Sequence, residues 1–229
     1  MMEPLWLPLE PRTPHLARMS DVDLALILAF DGSASVTFEE FGLMVGGCAA
    51  ALRAPDIGPA LIGGPRGASL CAVLLWSGQG AHEVMVEWTR IDSPAALEGF
   101  AAGVDGMPRL VRPGNTAIGE ALIAAEQLLG LAPAAATRRI IDMVGDGRSN
   151  DGVAPGPIRD RLAAAGVTIN GLCVLHEEPD LVASYTAEVI GGPGAFALHC
   201  QDYAAFADAM SQKLQREIAR AAQPGVATG

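Results

Sequence analysis

The sequence predicts an α/β fold built on a mostly parallel sheet, and three observations point to it. Residues 22–30 form an apolar run broken only by Asp23, ending in Asp31-Gly32-Ser33-Ala34-Ser35 just before a helical stretch. So continuous a run fits a strand buried on both faces, at the centre of a parallel sheet. Further apolar runs of strand length, at 69–76, 138–144 and 167–175, alternate with stretches of helical periodicity, the order expected of an α/β domain. Finally, the runs at 22 and 138 each finish in a carboxylate, Asp31 and Asp146. In open α/β sheets ligands bind just outside the carboxyl ends of the strands.

The elements follow in order. Residues 1–20 carry Pro4, Pro8, Pro11 and Pro14, a spacing that forbids a helix and predicts an irregular arm. After the first strand, a helix over 37–53 places Phe38, Phe41, Val45, Cys48 and Leu52 on one apolar stripe; Pro55 ends it. Gly63-Gly64-Pro65-Arg66-Gly67 is a turn and not a phosphate loop, because no Lys-Ser/Thr follows the glycines. The strand at 69–76 runs into Ser77-Gly78-Gln79-Gly80, a hairpin turn. Residues 82–88 then alternate, with Val84, Val86 and Trp88 on one face, which predicts a half-exposed antiparallel edge strand.

Ser93-Pro94 opens a helix to about residue 104, with serine as cap and proline at the first helical position. Arg112-Pro113-Gly114-Asn115-Thr116 leads into a helix reaching about 129. The strand at 138–144 ends in Gly145-Asp146-Gly147. A helix over 157–165, the strand at 167–175, and a helix introduced by Glu177, Glu178 and Asp180 come next. Gly191-Gly192-Pro193-Gly194 turns into a short strand at 195–200. Asp202 caps a long last helix whose stripe is Tyr203, Phe206, Met210, Leu214 and Ile218, and 221–229 form a frayed tail.

Composition bounds the chemistry. The chain has 229 residues, half of them apolar but only 5% aromatic, enough for one domain whose core is filled by Ala, Val, Leu and Ile. The formal net charge of −11 argues against binding nucleic-acid phosphates, which needs clustered Lys and Arg, and suits attraction of cations. Cys48, Cys71, Cys173 and Cys200 form no close pair or Cys/His cluster, so buried free thiols are expected and zinc is not. No run of about 18 apolar residues is present. The first twenty residues lack the basic start and apolar stretch of an export signal. The sequence as it stands therefore reads as cytoplasmic, or as exported or periplasmic if a leader has been removed.

Asp31, Ser33 and Ser35 fall on the turn between strand and helix. Three hard oxygen donors there suit Mg2+ or Mn2+, with Ca2+ also compatible; equally, each hydroxyl alone could simply cap a helix. Thr116, at the head of another helix, admits the same two readings, and Asp146 sits between glycines that let backbone approach a ligand closely. Asn150 and Asp151 are candidates to orient the Asp146 loop, or form an ordinary turn. His82, His176 and His199 stand singly and are assigned no chemistry.

The pattern Asp31-x-Ser33-x-Ser35, then Thr116 in a Gly-Asn-Thr loop, then Asp146, resembles the von Willebrand factor A (vWA) domain family and its metal-ion-dependent adhesion site. Trp76-Ser77-Gly78, Gly145-Asp146-Gly147-x-x-Asn150-x-Gly152, Ile169-Asn170-Gly171 and Ile190-Gly191-Gly192-Pro193-Gly194-Ala195-Phe196 resemble its bacterial DUF1194-type subgroup. The resemblance covers 21–220. It implies a Rossmann-like, doubly wound sheet of about six strands with one antiparallel edge strand and helices on both faces. It also implies direct metal ligation by Ser33 and Ser35, by Thr116 when a ligand is engaged, and water-mediated contacts from Asp31 and Asp146. Gly32 stands where relatives commonly have a larger residue, and the export signal common in the subgroup is missing.

The function expected is cation-dependent protein binding, in which an Asp or Glu carboxylate of an unidentified partner completes the coordination sphere. Two alternatives stay open. A metal-independent scaffold would use the same residues only as caps, and a hydrolase would use Ser33. The second lacks the G-x-S-x-G elbow and an identifiable histidine base, so no enzyme activity is expected.

Overall fold

The structure is a computed structural model, and it describes residues 19–219. The predicted arm, apart from Met19 and Ser20, and the predicted tail lie outside these residues. Six strands form one sheet: β1 (Val22–Asp31), β2 (Ser69–Trp76), β3 (His82–Ile91), β4 (Ala136–Gly145), β5 (Val167–Val174) and β6 (Ala197–Cys200). Their spatial order is β3-β2-β1-β4-β5-β6, with β3 antiparallel to β2 and every other pair parallel. The expected vWA-like α/β architecture is therefore observed.

β1 is buried along its whole length because helices cover both faces of the sheet. Leu24, Leu26, Leu28 and Phe30 face one core, shared with α1 (Phe38–Leu52), α2 (Ile57–Ile62), α3 (Pro94–Asp105) and α7 (Phe206–Ala219). Ile27 and Ala29 face the other, shared with α4 (Ile118–Gly130), α5 (Pro155–Ala164), α6 (Leu181–Ser184) and the π-helical turn Tyr185–Val189 that continues it. Alternate side chains of one strand thus supply two cores. The chain leaves β1 toward β2 and returns on its other side at β4, so the switch point lies at the carboxyl ends of β1 and β4, where Phe30 pairs with Val144.

Several local expectations need correction. Phe38 is 79% exposed and does not belong to the buried stripe of α1, whereas Met44 does. A capping box explains this: Thr37 accepts from the Glu40 amide and Glu40 accepts from the Thr37 amide, which starts α1 at Phe38 with its first turn in solvent. The regular alternation of Val84, Val86 and Trp88 is broken by two register shifts against β2. Val84 and Trp88 pack with α4, while Met85 and Val86 pack on the opposite face, as an extra residue in a strand dictates. α2 was not anticipated; Ile57 and Leu61 hold it in the core although it contains Gly58 and Pro59. The helix expected after Glu177 begins only at Leu181, and the strand expected from 195 begins at Ala197.

Candidate metal centre

Asp31 and Asp146 end up side by side because β1 and β4 are neighbours in the sheet. Asp31 is fully buried; its Oδ1 accepts from the Ser33 amide at 2.7 Å, which closes the turn after β1. Ser33 Oγ lies 3.0 Å from Ser35 Oγ, and Ser35 Oγ donates to Asp146 Oδ1 at 2.7 Å. The other Asp146 oxygen accepts from Tyr203 Oη at 3.3 Å. Four of the five predicted residues therefore form one hydrogen-bonded cluster across the switch point.

Thr116 joins them through the backbone. Its amide donates to Asn150 Oδ1 at 2.8 Å and its carbonyl accepts from the Asn150 amide at 2.9 Å, so Asn150 zips the Thr116 loop to the Asp146 loop. Gly114 O accepts from the Ala34 amide at 2.8 Å, tying the same loop to the Asp31 turn. α4 has Ala117 at its N-cap and no side-chain cap, so the capping role considered for Thr116 is not realised. Thr116 Oγ1 instead lies 3.7 Å from the point where a Cβ on Gly147 would sit. Asp151 accepts from the Gln79 amide at 3.0 Å and braces the β2–β3 turn.

The electrostatics are unusual for carboxylates. Burial, with the Asp146 charge close by, pushes the Asp31 carboxyl up to about 7. Burial also raises Asp146, partly offset by its bonds from Ser35 and Tyr203. Asp31 Oδ2 is buried and makes no hydrogen bond. Two crowded, desolvated carboxylates, one with a free lone-pair face, and the neighbouring Ser33 and Ser35 hydroxyls fit a hard divalent cation, whose charge would relieve both penalties. Among the described residues no group of three or more His, Cys, Asp or Glu side chains converges, so any ion here depends on the hydroxyls.

Arg109 also supports the site. Its guanidinium donates to the carbonyls of Gly32, Ser33 and Val36 at 2.9, 2.7 and 2.7 Å and lies over the rings of Phe38 and Phe41. It fixes the backbone of the Asp31 turn from a loop more than seventy residues away, and no local pattern announces such a contact. Gly32 also packs closely: a Cβ there would sit 3.1 Å from Leu75 Cδ1 and 3.3 Å from Trp76 O. His176, assigned no chemistry, borders the site at 3.4 Å from Glu40 and 3.1 Å from Glu177. All four cysteines are free and buried, as expected.

A sequence model of the family described as "Protein of unknown function (DUF1194)" matches residues 21–222. No functionally curated protein matches the chain in sequence. Among solved structures, proximal thread matrix protein 1 of the mussel byssus aligns with TM-score 0.65 and 16% identity over 86% of this chain and 48% of its own; a form of that protein has a zinc-occupied metal-ion-dependent adhesion site. A von Willebrand factor type A protein of Catenulispora acidiphila aligns at 0.57 with 16% identity, over 88% and 43%. The vWF domain of the pilus tip protein Mfa5 of Porphyromonas gingivalis aligns at 0.57 with 12% identity, over 90% and 98%. The chain thus spans about half the length of the mussel protein and nearly all of the Mfa5 domain. At these identities the likeness establishes a shared fold.

Proposed function

The chain belongs to the DUF1194 family, and from that premise we propose that residues 21–220 form a vWA-type module that binds a partner protein through a divalent cation. Ser33, Ser35, Thr116, Asp31 and Asp146 would hold the ion, Mg2+ or Mn2+ by the hardness of the donors. The observation that carries this reading is the cluster itself: a buried Asp31 Oδ2 without a hydrogen bond, beside the Ser33 and Ser35 hydroxyls and a second buried carboxylate.

Neutral hydroxyls leave most of a cation's charge uncompensated, and Ser35 stands exposed at the rim of the cluster. A partner's Asp or Glu carboxylate is the natural complement, since charge-assisted bonds gain strength in a partly dry site. The occurrence of vWA-like folds in a byssus matrix protein and a pilus tip protein is in keeping with a binding role. Ser33 Oγ has Ser35 Oγ for its neighbour and no imidazole or amine hydrogen-bonded to it, which favours binding over hydrolysis. Among the described residues no helix is long and apolar enough to cross a membrane.

Titration calorimetry with Mg2+, Mn2+ and Ca2+ tests the proposal. Wild type should bind at least one ion saturably, and Asp31→Ala should lose that binding while keeping its circular dichroism and a cooperative thermal transition. Equal binding by the variant, or no binding of any of the three ions by wild type, rejects it.

A further inference from the structure

The chain contains two tyrosines, Tyr185 and Tyr203, and both stand near the carboxylates of the candidate metal centre. Tyr203 Oη donates to Asp146. Tyr185 is fully buried, and its hydroxyl makes no hydrogen bond. A carboxylate oxygen in the same situation, Asp31 Oδ2, is also buried and without one. A Cβ placed on Gly145 would lie 2.6 Å from Tyr185 Oη and 3.0 Å from Asp31 Oδ2, so the two oxygens are within 5.6 Å of each other, the sum of those distances. With no direct bond between them, one bridging water closes a span of that size.

The slot for this side chain is built from several directions. Gly145 on β4 and Gly171 on β5 both lack a Cβ where the tyrosine passes; on Gly171 it would meet Tyr185 Cδ1 at 2.8 Å. Tyr185 begins a π-helical turn, a departure from α geometry that recurs at functional sites. A phenylalanine would fill the slot without the cost of burying a lone hydroxyl, so a hydroxyl retained under an unpaired carboxylate oxygen has a use.

We propose that Tyr185 is a positioning residue for Asp31, its hydroxyl donating to Oδ2 through one bridging water and fixing the carboxylate that would face the cation. Tyr203 holds Asp146 by its direct bond, so each acid of the centre is held by one tyrosine. The inference rests on the metal-binding reading above, and it names a determinant of affinity outside the five ligand positions.

Tyr185→Phe removes only the hydroxyl. Calorimetry should show Mg2+ or Mn2+ affinity reduced about 10- to 100-fold, as is typical when a group orienting a metal ligand is lost, with the circular dichroism spectrum and a cooperative thermal transition kept in excess chelator. An affinity within twofold of wild type overturns the proposal. A second readout needs no ion. Protein labelled at tyrosine Cζ gives two resonances, which Tyr185→Phe assigns, and Asp31→Asn should shift the Tyr185 signal in chelator. If wild type binds no ion, the metal-binding reading fails by itself and this resonance alone decides whether Tyr185 holds Asp31: a shift supports the pairing, and an unmoved signal rejects it.

Discussion

Lys213 is the only lysine in the chain, and replacing it with methionine should be among the most destabilising single changes available. The side chain is fully buried on α7. Its Nζ pairs with Asp142 of β4 and lies 2.5 Å from Glu217 Oε1, one helical turn along. Asn170 Nδ2 also donates to that Glu217 oxygen at 2.7 Å, and Arg138 donates to the Glu217 carbonyl at 2.7 Å. Burial and the neighbouring Glu217 push the Asp142 carboxyl up, while Lys213 opposes the shift. Methionine fills the space of the lysine stem but leaves two desolvated carboxylates with no cation. Breaking a buried pair in this way costs about 3–5 kcal/mol. At about 2–4 °C per kcal/mol for a domain of this size, the thermal midpoint should fall by about 6–20 °C. Urea unfolding followed by circular dichroism at pH 8 measures the loss directly. The deficit should shrink at pH 5, where the Asp142 carboxyl, pushed up to about 7 by burial, carries its proton and needs no counter-charge. A loss under 1 kcal/mol at pH 8, or a deficit that grows on acidification, would refute the argument.

Arg109→Met should lower stability by about 2–3 kcal/mol, because three carbonyls lose charged donors, and should weaken Mg2+ binding as the Asp31 turn loosens; calorimetry showing wild-type affinity would sink this account. Stability in chelator should fall as pH rises from 5 to 8. The folded Asp31 carboxyl keeps its proton to about 7, whereas the unfolded group releases it near 4, so the unfolded state binds fewer protons across that window and the slope is negative. Mg2+ should restore part of the loss at pH 8, and Asp31→Ala should abolish that restoration; denaturation midpoints at the two pH values check both statements.

The five candidate ligands were legible in the sequence because each sits on a turn that its own neighbours define: a buried strand before Asp31, glycines around Asp146, a helix after Thr116. The central strands were legible for a related reason, since burial on both faces leaves an unbroken apolar run. Of the groups that hold the site, Asn150 was legible beside Asp146, and three others were not. Arg109 acts on backbone carbonyls of a distant turn, and Tyr203 appeared only as one member of an apolar stripe. Tyr185 gave no signal, because its place depends on Gly145 and Gly171, glycines of two strands that only the sheet brings together under it.

The last helix shows most plainly what each level determines. The spacing of Tyr203, Phe206, Met210, Leu214 and Ile218 pointed to one helix with an apolar face; all five are buried, although Tyr203 lies in a 3-10 turn capped by Asp202 and α7 itself begins at Phe206. Lys213 and Glu217 stand one position earlier along that face and look like solvent-facing polar residues. In the fold they are fully covered, because α7 packs on α1 while also lying over β5 and β6, beside Asp142 and Asn170. Periodicity records where a helix has apolar side chains. Whether its polar side chains meet water or buried partners depends on what the sheet places opposite them, and only the tertiary structure decides that.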